Sequence, residues 1–192
     1  MSANQLNKSQ RQKSLLKNLE KNPFYTDEEL SRLFSVSIQT IRLDRLELGI
    51  PELRERLRNV AEKNYSKVKS LSGQEIVGEL ADYEPEKEGL SILDITEEMV
   101  FARTRIARGH HLFAQANSLA IALVDAEQAL TGSANVTFVK AVHQGERIIA
   151  RGKVKSKSKN KYIVSVVSKC NNETVFKGKF VVFAVNNKEV IN

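Results

Sequence analysis

Between residues 37 and 45 the chain sets Ser37, Gln39, Thr40, Arg42 and Arg45 on one short helical repeat. Such a set can recognise nucleic acid. Arginine forks onto the two acceptors of guanine in the major groove, and glutamine pairs bidentately with adenine. Ser37 and Thr40, at the start of the repeat, can bond phosphate where helix N–H groups point outward. A few residues on, Arg54 and Arg58 are placed to lie against phosphate or enter the neighbouring minor groove. The same spacing also suits a three-helix bundle with a solvated polar face and a solvated linker. His110 and His111 are types that can move protons, yet at a helix start they read as structural groups. Cys170 is the one cysteine, which excludes a disulfide framework and a multi-cysteine zinc site. No catalytic residue and no metal ligand is assigned.

Three short helices would position the first set. Residues 9–21 carry Leu15, Leu16 and Leu19 on one face and stop at Asn22-Pro23. Thr26 to Glu29 reads as a capping box opening a short helix to about Phe34. Ser37 can cap a third helix, Ile38 to Leu48, ended by Gly49. Ile38, Ile41 and one of Leu43 and Leu46 are expected to face inward. A tight break between the second and third helices completes a helix-turn-helix plan over residues 1–50. Pro51 then suits the first turn of an amphipathic linker helix over residues 51–71, with Leu53, Leu57, Val60 and Asn64 on its stripe.

Residues 72–192 change period. Glu75 to Tyr83 and Ser91 to Ile95 read as strands, as do about 134–142, 146–159, 162–170 and 173–184. Gln144-Gly145, Asn160-Lys161 and Asn171-Asn172 separate these as hairpin turns. Between the strand groups, His110 to Val124 is helical, apolar on every side and rich in alanine, as expected of a helix wrapped by a sheet. In 146–159 the even positions face in, while Arg147, Arg151, Lys153, Lys155, Lys157 and Lys159 form a basic outer row. One buried helix inside a mostly antiparallel sheet is the hotdog arrangement, so the fold class is α+β.

The charge balance segregates. The 192 residues carry 30 Lys+Arg and 23 Asp+Glu, for a net +7. Residues 1–70 are net +5, residues 71–128 net −7 and residues 129–192 net +9. Segregation of this kind implies parts with different partners, and a basic balance suits a polyanion. The start Met1 to Gln5 has no signal pattern, and the run Leu112 to Val124 is too short to span a bilayer, so a soluble cytoplasmic protein is expected.

Val36 to Leu46, with its Thr40-Ile41-Arg42-Leu43-Asp44 core, resembles the recognition helix of DeoR-type bacterial repressors. Ile106 to Ala120, Ile50 to Arg56, Asn59 to Lys63 and Val142 to Arg147 resemble the FapR family, bacterial repressors of fatty-acid and phospholipid synthesis genes. The matches run through both halves in order. The resemblance implies a DeoR-like DNA-binding domain, a linker helix and a hotdog effector domain in a homodimer on palindromic operator DNA. It also implies malonyl-CoA as the effector that releases the operator, with no cofactor and no membrane partner. On this chain Arg108 would meet the malonyl carboxylate, Phe101 and the partner subunit's Asn117 would complete the acyl end, and the effector would order the loops around Arg108 and Gly109. Malonyl-CoA differs from acetyl-CoA by one carboxylate, for which an arginine fork is suited. Arg108 could instead pair with Asp94, Glu97 or Glu98 to hold the fold.

The rival class is a hotdog acyl-CoA thioesterase with a fused DNA-binding module. Such enzymes place a carboxylate on or beside the central helix to activate water. Here no Asp or Glu occurs from His110 through Val124, and Asp125 comes only at the end. Asp94 or Glu98 could approach from another segment, but the acid-free helix and the fused DNA-binding module favour sensing over turnover.

Overall fold

The computed structural model describes residues 6–185. The chain forms two compact units, residues 1–59 and 60–192, so their boundary falls inside the linker helix.

In the first unit, α1 (Lys8–Lys21), α2 (Asp27–Phe34) and α3 (Ile38–Glu47) are each opened by a side-chain cap. The Thr26 box forms as expected: the Glu29 N–H donates to Thr26 Oγ1 at 3.1 Å and the Thr26 N–H to Glu29 Oε2 at 2.8 Å. Ser37 Oγ accepts from the Thr40 N–H at 3.1 Å. Leu15, Leu19, Leu30 and Ile41 make the small apolar core, with Tyr25, Phe34 and Leu48 packed around it. Leu16 stays exposed.

The rotation of α3 differs from the sequence expectation. Ile41 is buried, but Leu43 and Leu46 point out and Ile38 is at the surface, while Asp44 and Arg45 face in. Partners remote in sequence make this tenable. Arg11 clasps Asp44 through Nε at 2.6 Å and Nη2 at 3.2 Å, and Gln12 adds a bond at 3.1 Å. Arg45 clasps Asp27 through Nε and Nη2, both at 2.8 Å, and donates to the Ile50 carbonyl at 3.3 Å. Burial pushes the Asp44 carboxyl up, but the bonds from Arg11 and Gln12 outweigh it and hold the group below its ordinary range.

Helix α4 (Leu53–Tyr65) starts two residues after Pro51 and stops before the expected end near Leu71. Leu57, Ala61 and Asn64 are its buried positions. Arg56, also buried, donates to the carbonyls of Pro23, Pro51 and Tyr25 at 3.0, 2.6 and 2.6 Å. It thereby satisfies backbone groups at the α1–α2 turn and at the start of its own helix.

The second unit is the hotdog arrangement. Strands β1 (Glu79–Glu84), β2 (Glu88–Asp94), β3 (Ala129–Phe138), β4 (Arg147–Ser158), β5 (Lys161–Cys170) and β6 (Glu173–Ala184) pair antiparallel in the order β1-β2-β4-β5-β6-β3. They wrap α5 (Gly109–Ala122), whose Leu112, Ala116, Leu119 and Ala120 are buried. The approach is close: a Cβ on Gly152 would come within 2.9 Å of Leu123 Cδ1 and 3.1 Å of Leu119 Cγ. Only a glycine lets β4 lie this near the helix.

Three sequence expectations shift here. Strand β3 runs Ala129–Phe138 where about 134–142 is expected, and a register shift between Thr131 and Ser133 interrupts its alternation. Gln144-Gly145 is not a hairpin: β3 pairs with β6 and β4 with β2 and β5, so residues 139–146 form a crossover. Gly145 there donates its N–H to the Ile95 carbonyl at 2.8 Å. In β4 a second register shift, between Val154 and Ser156, breaks the basic row. Lys157 stands opposite the buried Tyr162, its ammonium 5.1 Å from the ring centroid and 2.6 Å from Glu86. Cys170 ends β5 buried, and burial pushes its thiol up.

Candidate functional site

Two sets of side chains stand ready for chemistry, one in each unit. On α3, Ser37 is the cap, and Gln39 and Arg42 are exposed with Thr40 half-buried. Thr40 Oγ1 and Ser37 Oγ lie 2.9 Å apart, so the first turn presents a linked hydroxyl pair beside free helix N–H groups. The Arg42 guanidinium is 3.5 Å from Asp27, a loose contact for a side chain 58% exposed. Arg54 is exposed near the start of α4.

Arg45 departs from this surface and is a correction to the sequence expectation. Only 6% exposed, it is committed to Asp27 and the Ile50 carbonyl and holds α3 against α2. The helical repeat could not reveal this, because its partner lies 18 residues upstream.

In the second unit Arg108 sits at the N-terminal end of α5. Its backbone N–H donates to the Met99 carbonyl at 2.9 Å, and its Nη2 donates to the Glu98 carbonyl. Its Nε is buried with no hydrogen-bond partner. The carboxylates of Asp94, Glu97 and Glu98 are otherwise engaged or out of range. Asp94 binds Arg147 at 2.6 and 2.9 Å, and Glu97 binds Arg105 at 3.0 Å. Among the described residues no carboxylate lies within 4.0 Å of the Arg108 guanidinium. A cation with an unused, buried donor at the positive end of a helix is suited to an anion.

Gly109 follows at the first position of α5, where an added Cβ would strike Phe138 Cε1 at 2.9 Å. Phe138 in turn packs edge-on against Phe176, ring centroids 5.2 Å apart. A cavity of about 300 Å³ opens here, its walls including Ala107, Gly109, Leu112, Phe138, Lys140 and Val142. Phe138 and Lys140 are wall residues that the sequence did not single out. They come from the end of β3 and from the crossover, which the turn residues Gln144-Gly145 make look like a hairpin.

Phe101 is 55% exposed, at the start of a narrow loop closed by a bridge between Val100 and Ala107. Within that loop the Phe101 N–H donates to the Ile106 carbonyl at 2.9 Å. Asn117 is half-buried, with its Oδ1 accepting from Thr131 Oγ1 at 2.7 Å. Arg108 and Asn117 are not brought together within one chain: nine residues along a helix amount to roughly 13 Å of rise. The His110 and His111 rings lie 4.1 Å apart between centroids, tilted by 43°. Burial, then His110 and Arg108, hold the His111 pKa below its ordinary value, so the ring favours its neutral form. Asp125, after the end of α5, is bound to Lys69 at 3.0 Å. Among the described residues no group of acidic, histidine or cysteine side chains is arranged to hold a metal, and no helix is long and apolar enough to cross a membrane.

No protein-family profile matches the chain. Transcription factor FapR of Caldanaerobacter subterraneus subsp. tengcongensis is 50% identical over 180 residues, covering 94% of this chain and 90% of that protein. Transcription factor FapR of Bacillus subtilis is 55% identical over 177 residues, covering 91% and 94%. Among solved structures, a sigma28-regulated virulence protein from Campylobacter jejuni superposes with a TM-score of 0.61 at 19% identity, over 67% of this chain and 92% of that one. That likeness speaks to the fold alone.

Proposed function

Since the chain belongs to the FapR family of transcription factors, we propose that it is a homodimeric repressor of fatty-acid and phospholipid synthesis genes, released from its operator by malonyl-CoA. The observation that carries the effector half is Arg108: a guanidinium with a buried, unused Nε and no carboxylate in range among the described residues. Leaving such a donor unmet is costly, and a malonyl carboxylate would meet it. An acetyl group would not, which is the basis of selectivity. The cavity beside Gly109 offers room for the acyl end, and Phe101 lies in the loop that precedes it. The separation of Arg108 from Asn117 along α5 supports supplying the second contact as Asn117 of the partner subunit.

The DNA half rests on α3. Two copies of this helix in a dimer would read half-sites of a palindrome about one helical turn apart. Gln39 and Arg42 face base edges, Ser37 and Thr40 a phosphate, and Arg54 the neighbouring backbone. Ligand binding at Arg108 and Gly109 favours one dimer arrangement over another, and the arrangement it favours does not match the operator.

A thioesterase reading draws on the hotdog fold, but α5 carries no acid in its sequence and Asp94 and Asp125 are paired. Isothermal calorimetry on the wild type and Arg108→Ala, with malonyl-CoA and acetyl-CoA, separates the readings. A saturable isotherm is expected for malonyl-CoA with the wild type only, while Arg108→Ala still binds operator DNA. Heat that never saturates would mean turnover, and an unchanged isotherm for Arg108→Ala would remove that residue from the site.

A further inference from the structure

We propose that Leu43 is a base-reading residue, packing on the 5-methyl group of a thymine in the major groove, with Leu46 extending the same apolar ridge; this rests on the DNA-binding reading of α3. The inward side of α3 is made by Ile41, Asp44 and Arg45. The opposite stripe, at spacings of three, four and seven residues from Gln39, is Gln39, Arg42, Leu43 and Leu46. Leu43 is 54% exposed and Leu46 80%.

Isolated surface leucines need no explanation, but this pair is out for a structural reason. Turning α3 by about half a revolution would bury both leucines and return Asp44 and Arg45 to water. The fold instead holds Asp44 and Arg45 inside through bidentate contacts to Arg11 and Asp27. The result is an outward face holding Gln39, Arg42 and two leucines, with the Asp44 carboxylate withdrawn from it. That face is cationic and apolar at once, complementary to a groove whose walls are phosphate and whose apolar base-edge group is the thymine methyl. Leu43 is the sixth residue of α3, close enough to the N-terminal end to reach a base edge, and Leu46 follows nearer the C-terminal end.

The test uses the full chain. The duplex it binds best is selected from a randomised library, and each thymine is replaced in turn by deoxyuracil, which removes only the methyl. The wild type should lose affinity about fourfold at one thymine per half-site, the worth of one methyl taken out of water. Leu43→Ala should bind the thymine and deoxyuracil duplexes equally, and Leu46→Ala should keep the discrimination. Indifference of the wild type to every replacement overturns the proposal, as does a penalty that persists in Leu43→Ala. So does a Leu43→Ala variant with unchanged DNA binding but an altered oligomer mass, which would make the ridge a contact between copies. If no duplex is enriched at all, the DNA-binding reading falls first and takes this one with it.

Discussion

Residues 60–185 close around a continuous apolar cluster that reaches from Val68 to Val182 and includes the fully buried Phe176 and Phe180. Among the described residues 6–59 the apolar cluster is Leu15, Leu19, Leu30 and Ile41, and the buried set is completed by Leu57 with the polar Asp44, Arg45 and Arg56. A unit this small cannot bury enough apolar surface to fix every helix by packing alone. Its ion pairs act on orientation, since a buried pair adds little net stability but is costly to break from one side. Arg11 and Asp44 thus set which side of α3 faces out, and the choice of exposed side chains follows from charges hidden behind them.

That contrast can be broken experimentally. Phe176→Ala should cost residues 60–192 about 4 kcal/mol, seen by hydrogen exchange as lost protection there with residues 6–59 unchanged. Equal losses in both segments would end the distinction. Asp44→Asn should cost the first unit about 3 kcal/mol by leaving Arg11 without its carboxylate. It should also alter the acid response. Because the folded pKa of Asp44 is depressed, its contribution is complete above the unfolded value of about 3.9 and is lost as pH falls through the lower folded value. Protection factors in residues 6–59 should therefore fall in acid, and Asp44→Asn should flatten that fall. The smallest effect is expected from Thr26→Ala, about 1 kcal/mol from the lost cap, confined to the first unit. A loss several times larger would mean that the cap supports more than the end of α2.

Much of this was legible in the sequence, because local chemistry governs it. The caps at Thr26 and Ser37 and the buried helix beginning near Gly109 all form where spacing and composition place them. Arg108 and Gly109 likewise lie at the helix start, although the resemblance rather than the spacing picked them out. What escaped depends on distant partners. Apolar residues at 38, 41, 43, 46 and 48 give α3 two defensible inward faces, and the deciding contacts reach back to Arg11 and Asp27. Strand β3 was displaced and its connection misread because pairing with β6 rather than β4 is a choice made across the sheet. Phe138 and Lys140 were missed as cavity walls for the same reason.

The lone thiol of Cys170, 6% exposed at the end of β5, has a practical consequence. Buried and held largely protonated, it should react slowly with maleimide and methanethiosulfonate reagents. A cysteine introduced on the exposed side of α3, or in the loop at Phe101, would then be the one fast-labelling position in the chain. A fluorophore or spin label could report on either unit without first removing the native residue.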